Sequence, residues 1–263
     1  MNYVFDIDGT LTPSRGKMNK QFQRLFYHWM SSVINNGHKV YFITGSDKDK
    51  TIEQIGEKIW KKATRAYQSC GNAVYENGEL IRELSFPIPT ELTLLLDEFL
   101  ERSNWKFNGD VYSNHVEQRI GLVNFSTIGR NCPQEAREKY AEWDKDVLER
   151  ETFCRILNNK FPRLEASVGG QISIDIHPKG KNKSQILDDI DGDVTFFGDK
   201  CEIGGNDYPI VERLQNSVEL DRNDTIHRVN NWIDTRDILM MTNYLKVSMA
   251  PNGNILNLEN ESK

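Results

Sequence analysis

Residues 3–10, YVFDIDGT, decide the fold of this chain. The run begins with apolar residues and ends in two aspartates, Asp6 and Asp8, which glycine and threonine follow. A short apolar run of this kind is typical of a strand that is buried on both faces of a parallel sheet. The sequence therefore predicts a first buried strand that delivers two carboxylates to its carboxyl end.

Helix and strand signals alternate beyond this strand. Apolar side chains at helical spacing predict a helix over residues 19–36. A second buried strand is expected at residues 38–43, and a helix that continues through Ile59 follows it, capped by Ser46 or Asp47. Strand, helix, strand and helix in this order are typical of a parallel α/β sheet.

The pattern changes between about residues 80 and 180. Strands are expected at 111–112, 119–125 and 171–177, and helices near 90–103 and 134–160. This mixture indicates an α+β insertion. The apolar run 194–197, followed by Gly198-Asp199, then marks the return of the parallel core.

These signals predict three parts of the chain. The catalytic core takes residues 1–82 and 184–240, an inserted cap takes 83–183, and a C-terminal extension takes 241–263. Within the extension, Pro251-Asn252-Gly253-Asn254 is a turn signal that permits a hairpin.

Composition excludes several classes of function. Hydrophobic residues at 38% and charged residues at 27% describe an ordinary folded protein. A net charge of -6 argues against a general nucleic-acid binder, which needs an excess of Lys and Arg. No apolar run approaches the roughly 20 residues of a membrane helix, so we expect no membrane partner and a cytoplasmic location. The four cysteines show no paired spacing and are expected to be free thiols.

Acidic residues gather at the predicted carboxyl ends of two strands. Ligands bind beyond these ends in open parallel sheets, so Asp6, Asp8 and Asp199 are expected to converge. Three carboxylates repel one another unless a hard cation joins them, and oxygen ligands of this kind favour Mg²⁺. The alternative is a strand that runs into a solvated turn. The second strand ending in Gly198-Asp199, with GGND at 204–207, disfavours that alternative.

The motifs FDIDGTLT, TGSD, FFGDK and GGND resemble those of the haloacid dehalogenase superfamily. The resemblance implies a Rossmann-like parallel-sheet core with an inserted cap. It also implies that Asp6 attacks phosphorus to form an aspartyl-phosphate, and that Asp8 gives and takes the proton at the reacting oxygen. Mg²⁺ would then be held by the Asp6 carboxylate, the Asp8 main-chain carbonyl and Asp199, with Asp207 as a further metal residue.

Four longer blocks extend the resemblance to eukaryotic-type phosphomannomutases over roughly residues 1–232. The blocks read FDIDGTLTPSR, FSTIGRNCPQEAR, GGQISIDIHPKGKNK and FFGDKCEIGGNDYPI. The resemblance implies substrate-binding roles for a set of core and cap residues. In the core these are Arg15, Ser46 and Lys183, beside the reacting phosphate, and in the cap they are Arg119, Arg130, Arg137, Ser173 and Asp175.

The chemistry of these residue types fits such roles. A planar guanidinium grips phosphate with paired hydrogen bonds, and three arginines lie in one insertion. Strict alternation over residues 171–177 puts Ser173 and Asp175 on one polar face of a strand. The alternative for each arginine, and for Lys183 in its Lys-rich stretch, is a solvated surface charge.

Some positions depart from the family pattern. Thr44 stands where the motif usually has Gly, so either Thr44 or Ser46 could supply the hydroxyl that contacts the phosphoryl group, and Ser46 is preferred. Ile120-Gly121 follows Arg119 in place of Asn-Gly, Cys70 replaces an Asn, and Asn182 replaces an Asp. These changes leave the preference between mannose and glucose open.

The resemblance implies a Mg²⁺-dependent phosphomannomutase that interconverts mannose 1-phosphate and mannose 6-phosphate. Its ligands would be hexose phosphate and hexose bisphosphate, and a homodimer would form through the cap. A sugar-phosphate phosphatase is the alternative, because water could replace the sugar hydroxyl with every core residue unchanged. A non-catalytic sugar-phosphate binding protein is a third reading, which the full set of carboxylates disfavours.

Overall fold

The computed structural model describes residues 1–216 and 222–241 of the chain. The turn signal at 251–254 and the predicted extension, apart from Met241, lie outside these ranges. No helix in the described ranges is long and apolar enough to cross a membrane.

The strands and helices of the described residues form two sheets with helices on their faces. The strands are β1 (Asn2–Asp6), β2 (Lys39–Ile43), β3 (Arg65–Gln68), β4 (Ala73–Glu76), β5 (Glu79–Glu83), β6 (Val116–Arg119), β7 (Leu122–Phe125), β8 (Leu164–Gly169), β9 (Ser173–Pro178), β10 (Val194–Gly198) and β11 (Thr225–Arg228). The α-helices are α1 (Lys20–Asn35), α2 (Lys48–Ile55), α3 (Glu57–Lys62), α4 (Thr90–Arg102), α5 (Gln134–Val147), α6 (Glu149–Lys160), α7 (Tyr208–Asn216) and α8 (Trp232–Met241). Short 3₁₀ helices span Ser69–Gly71, Asn104–Phe107 and Lys183–Asp189.

The larger sheet has the strand order β11-β10-β1-β2-β3-β4-β5. The strands from β11 to β3 are parallel, and β4 and β5 add an antiparallel edge. The predicted α/β class is therefore confirmed, with a mixed rather than purely parallel sheet. Because β1 lies between β10 and β2, its carboxyl end is flanked by the ends of both neighbours.

Burial on both faces explains why β1 is so apolar. Phe5 packs edge-on against Phe26 and Trp29 of α1, with ring centroids 5.2 and 5.5 Å apart. Val4 points to the opposite face and packs in a second cluster with Ile210 of α7. Each apolar residue of the strand therefore packs against one of the two helical layers.

The smaller sheet is antiparallel, with the order β6-β7-β9-β8. One face packs on α4 and α6, where Ile174 and Ile176 are buried against Phe99. Ser173 and Asp175 alternate with these isoleucines, as the sequence predicted, and line a cavity on the other face.

Two predicted helices are each broken by a left-handed residue. The helix expected through Ile59 ends at Gly56 (φ +84°), where an added Cβ would lie 2.7 Å from the Gln23 amide nitrogen. The helix expected over 134–160 is interrupted at Leu148 (φ +56°). This break leaves Glu149 buried, where its carboxylate accepts hydrogen bonds from Ser103 and other groups.

Two strand predictions in the insertion were wrong. The strand expected at 119–125 is a hairpin, β6 and β7, with its turn at Ile120-Gly121, because Gly121 adopts a left-handed φ of +68°. Residues 111–112 form no strand, although the Tyr112 N–H donates to the Ile128 carbonyl. The exact domain boundaries stay a prediction.

Candidate active site

A cavity of about 400 Å³ lies between the carboxyl end of the larger sheet and the polar face of the smaller one. Residues from both sheets line it. From the predicted set, its walls contain Asp6, Asp8, Arg15, Ser46, Lys183, Asp199, Arg119, Arg130, Arg137, Ser173 and Asp175. Asp207 does not line the cavity and is fully buried.

Three carboxylates meet at the core end of this cavity. Oxygens of Asp6, Asp199 and Asp207 lie within 4.8 Å of one another. The convergence predicted for Asp6 and Asp199 is therefore present, but the third carboxylate belongs to Asp207, not to Asp8. Asp6 ends β1, Asp199 follows β10, and Asp207 precedes α7, so adjacent strand ends and one helix start build the cluster.

Lys183 lies within this acidic cluster. Its Nζ is 2.6 Å from Asp6 Oδ1 and 2.7 Å from Asp207 Oδ1, and its side chain is only 1% exposed. The alternative of a solvated lysine is therefore wrong. The second oxygen of Asp207 accepts the main-chain N–H of Lys200 at 3.1 Å.

Burial and the neighbouring charges shift the pKa values of Asp6, Lys183 and Asp199. Burial raises the pKa of Asp6 to about 8; the Lys183 ammonium lowers this pKa, whereas Asp207 and Asp199 raise it. Burial lowers the pKa of Lys183, but Asp207 and Asp6 raise it by more, so it lies above its ordinary value. Burial and Asp207 also raise the pKa of Asp199. Three carboxylates therefore face one buried ammonium.

This donor set fits a divalent cation. Carboxylate oxygens are the ligands that Mg²⁺ prefers, and the excess negative charge would be balanced by such an ion. The close approach of Gly9 to Asp199 also shapes this end of the cavity. An added Cβ at Gly9 (φ +87°) would lie 2.2 Å from Asp199 Oδ2, so the glycine of the DGT motif makes room for that carboxylate.

Asp8 stands apart from the carboxylate cluster, although it lines the same cavity. Its Oδ1 accepts the Arg15 N–H at 2.7 Å and the Gln54 side-chain amide at 2.8 Å. Ser46 donates to its Oδ2 over a longer 3.4 Å. These donors fix the orientation of the Asp8 carboxylate.

The cap end of the cavity carries arginine side chains. Arg119 and Arg130 are 23% and 12% exposed, so neither is a freely solvated charge. Both donate to the Glu117 carboxylate, Arg119 through Nε at 3.1 Å. Arg137 donates to the Arg130 carbonyl at 2.6 Å. Together with Arg15 of the core, these guanidinium groups make this end of the cavity strongly positive.

Arg15 lines the same cavity as the cap arginines. Burial lowers the pKa of Arg15, and the charges of Arg137 and Arg119 lower it as well. Burial and Arg119 lower the pKa of Arg130 in the same way. Positive charges held this close to one another favour an anion between them.

Asn124 joins the predicted polar strand to the arginines. Its main chain lies opposite Asp175 in the β7–β9 pair, and its amide donates to the Asp175 carboxylate. Arg130 donates to the Asn124 side-chain oxygen and to Ser173 Oγ, the latter at 3.1 Å. Asn124, Glu117 and Gln54 were not predicted from the sequence. The spacing of Glu117, two residues before Arg119 on one strand, could have placed it on the same face.

The choice between Thr44 and Ser46 stays open. Both line the cavity, and the Thr44 hydroxyl accepts the Ser46 N–H at 3.1 Å. Thr44 is buried, whereas Ser46 is half-buried and directs its hydroxyl to Asp8.

Comparison with solved structures places the fold in a known class. A haloacid dehalogenase-like hydrolase from Bacteroides thetaiotaomicron superposes with a TM-score of 0.56 at 14% identity, covering 92% of this chain and 98% of that one. The C-terminal domain of trehalose-6-phosphate phosphatase from C. albicans gives a TM-score of 0.56 at 15% identity, covering 88% and 79%. The chain therefore has a haloacid dehalogenase-type α/β fold.

Sequence comparison is more specific. The family model for eukaryotic phosphomannomutase matches residues 29–239. A phosphomannomutase of Encephalitozoon cuniculi is 34% identical over 222 residues, which cover 79% of this chain and 83% of the relative. One of Drosophila melanogaster is 31% identical over 247 residues, which cover 90% and 92%. The chain belongs to the eukaryotic phosphomannomutase family, and the resemblance to this family inferred from the motifs is confirmed.

Proposed function

We propose that this chain interconverts mannose 1-phosphate and mannose 6-phosphate through an aspartyl-phosphate and a hexose bisphosphate. One observation carries the proposal beyond family membership. A single cavity holds a buried nucleophilic carboxylate at its core end and a set of arginines at its cap end. A sugar with a phosphate on each end needs these two sites at once.

The first half of the reaction uses Asp6 and Asp8. A carboxylate oxygen of phosphorylated Asp6 is the leaving group when the sugar hydroxyl attacks phosphorus, and Asp8 accepts the hydroxyl proton. The product is a bisphosphate, and Asp6 regains its free carboxylate. Hydrogen bonds from Gln54 and the Arg15 main chain hold Asp8 in place for this transfer.

The second half reverses these roles on the other phosphate. After the bisphosphate turns around, Asp6 attacks the phosphorus that the cap arginines held before. The bond to the sugar oxygen breaks, and Asp8 returns its proton to that oxygen. The cap arginines now hold the newly formed phosphate end, so either orientation is stabilised by the same groups.

Mg²⁺ would be held by Asp6, Asp199 and Asp207, with the Asp8 main-chain carbonyl as the family resemblance implies. When bound, the ion would screen the carboxylate so that it can approach an anionic phosphoryl group. Lys183 adds a fixed positive charge beside Asp6, which would also screen the Asp6 carboxylate from the phosphoryl group.

Ser173 and Asp175 would contact the distal phosphate and sugar hydroxyls. Asp175 is already held by Asn124, so its free oxygen has a defined direction. A homodimer through the cap stays a prediction.

A product analysis tests the proposal. The protein is incubated with mannose 1-phosphate, Mg²⁺ and a hexose bisphosphate, and the sugar products are separated. We expect mannose 6-phosphate as the main product. Free mannose and inorganic phosphate without the 6-phosphate would instead identify a sugar-phosphate phosphatase, and binding without turnover would identify a non-catalytic protein.

A further inference from the structure

The core and the cap are joined by a short chain of buried amides close to the active site. Asn72, between the first 3₁₀ helix and β4, is 2% exposed. Its side-chain amide donates to the Gly121 carbonyl at 3.3 Å. Its side-chain oxygen accepts the Gln185 amide at 2.9 Å, and Gln185 also donates to the Cys70 carbonyl at 2.9 Å. We call Gln185, Asn72 and Gly121 the amide latch.

Each end of the amide latch is two residues from a group in the active site. Gln185 follows Lys183, which is fixed by ion pairs to Asp6 and Asp207. Gly121 follows Arg119 at the turn between β6 and β7. The latch therefore joins the segment that carries the core lysine to the segment that carries the cap arginine.

Gly121 packs closely against Asn72 in this structure. Gly121 is buried with φ +68°, and an added Cβ there would lie 2.4 Å from the Asn72 Cβ. The Asn72 carbonyl also accepts the Leu84 N–H at 2.7 Å, and Leu84 begins the segment that leads from β5 into the cap. Leu84 lines two clefts. The larger, of about 760 Å³, is also lined by Gly121, and the smaller, of about 200 Å³, is also lined by Asn72.

Two of the departures from the family pattern, Ile120 and Cys70, lie beside the amide latch. Ile120 precedes Gly121 in the turn that Asn72 holds, and the Cys70 main-chain carbonyl is the second acceptor for Gln185. The reaction proposed above assigns no task to these positions.

We propose that Asn72 is a positioning residue that holds the cap closed over the core, and so sets how much aspartyl-phosphate is lost to water. This inference rests on the proposed function. Opening the cap by moving the β6–β7 turn away from the core must break the Asn72–Gly121 hydrogen bond. That bond is long at 3.3 Å, as suits a contact that must break whenever the bisphosphate turns or leaves.

A weaker latch has two consequences. Water reaches phosphorylated Asp6 more often. The water oxygen bonds to phosphorus while Asp8 accepts the water proton, the bond from phosphorus to the Asp6 oxygen breaks, and inorganic phosphate leaves. The bisphosphate also escapes before its second transfer, so more of it must be added to keep the enzyme primed.

The test compares Asn72→Ala and Asn72→Asp with the wild type and with Asn2→Ala. Asn2 is a matched control, because it is also buried and its amide donates to the Asp191 and Asp193 carbonyls within the core, away from the cap. We expect the ratio of mannose 6-phosphate to inorganic phosphate to fall roughly 2- to 10-fold in both Asn72 variants, the change that one buried hydrogen bond typically produces. The bisphosphate concentration for half-maximal activity should rise by a similar factor. Asn2→Ala should leave both quantities at wild-type values.

Amide hydrogen exchange separates failure of the latch from failure of the proposed function. If the wild type gives no mannose 6-phosphate, the function fails, and the latch is judged by exchange at residues 118–123. Faster exchange there in Asn72→Ala, but not in Asn2→Ala, supports the latch. Unchanged exchange together with an unchanged product ratio in soluble, folded Asn72→Asp overturns it.

Discussion

The Lys183 amine lies 2.6 Å from a carboxylate oxygen of Asp6, and both groups are buried. The same amine contacts Asp207 at 2.7 Å, so one cation serves two carboxylates. Buried charges are tolerated when they are paired and become strongly destabilising when one partner is removed. The electrostatic balance of the site and the stability of the fold therefore depend on the same residue.

Replacing Lys183 with Met should destabilise the protein. The substitution keeps most of the side-chain volume but leaves Asp6 and Asp207 without their shared cation. We expect the free energy of unfolding to fall by about 3–5 kcal/mol in urea titrations, the range for breaking a buried ion pair. Lys179→Met, at an exposed position before the same 3₁₀ helix, should change it by less than about 0.5 kcal/mol. Equal effects of the two variants would contradict this account.

The core end of this site could be predicted from the sequence because strand ends are marked by strong local signals. Asp6 and Asp199 each end an apolar run, and parallel strands bring such ends to one edge. The third carboxylate of the cluster belongs to Asp207 and not to Asp8. Asp207 reaches the cluster from the start of a helix, and a strand pattern contains no information about the position of such a side chain.

The cap was harder to predict, because its contacts depend on tertiary packing. Asn124 of the cap, like Gln54 of the core, acts through partners on other elements, so composition and periodicity carry little information about it. The spacing of Glu117 and Arg119 on β6 did carry such information. The left-handed turn at Leu148 has no glycine to mark it. By contrast, Asn77-Gly78 between β4 and β5 is a typical hairpin signal, with φ of +52° and +84°, although no hairpin was predicted there.

Magnesium should stabilise the folded protein through Asp199. A ligand that binds only the folded state adds about 2.7 kcal/mol at one hundred times its Kd, which raises the melting temperature. We expect Asp199→Asn to lose most of this shift in thermal melts with and without MgCl₂. Glu202→Gln, at an exposed carboxylate three residues further on, should keep it. A full Mg²⁺ shift in Asp199→Asn would exclude Asp199 as a ligand.

Asp8 and Gln54 should affect turnover more than substrate binding. Loss of the proton-transfer group in Asp8→Ala is expected to lower kcat by roughly 10² to 10⁴. Gln54→Leu removes a 2.8 Å hydrogen bond that orients this carboxylate, and we expect a smaller loss of roughly 10-fold. Steady-state kinetics should show little change in KM for either variant. Gln23→Leu, which loses a similar bond to the Ile55 carbonyl, should retain wild-type kcat.

If kcat were unchanged in Asp8→Ala, Asp8 could not be the proton-transfer group. A loss in Gln54→Leu as large as that in Asp8→Ala would point to a direct role for the glutamine instead of a positioning one.

His227 should make the fold less stable in mild acid. Its ring stacks on Phe197 with centroids 4.5 Å apart, and its Nε2 is buried without a hydrogen-bond partner. Burial lowers the pKa of His227 below its ordinary value of 6.5. The unfolded chain therefore binds a proton first as the pH falls.

The stabilisation that depends on neutral His227 is complete above pH 6.5 and is lost as the pH falls below that value. His227→Phe keeps an aromatic ring on Phe197 and removes the titration. We expect urea midpoints of this variant to fall less between pH 7.5 and 5.5 than those of the wild type. His28→Phe, at an exposed position on α1, serves as the control and should follow the wild type.

Arg130 should matter more for a sugar with two phosphates than for a small phosphate ester. Its guanidinium is held by Glu117, Asn124 and Ser173, so it is fixed in place before substrate arrives. Losing its charged hydrogen bonds in Arg130→Ala should lower kcat/KM for mannose 1-phosphate roughly 10- to 150-fold. Hydrolysis of p-nitrophenyl phosphate, which does not reach the cap arginines, should fall by less than about 3-fold, because the nucleophile and its metal are unchanged. Arg155→Ala, at an exposed position on α6 of the cap, should preserve both activities. Equal losses on the two substrates in Arg130→Ala would mean that this arginine acts on the nucleophilic end of the cavity and not on the distant phosphate.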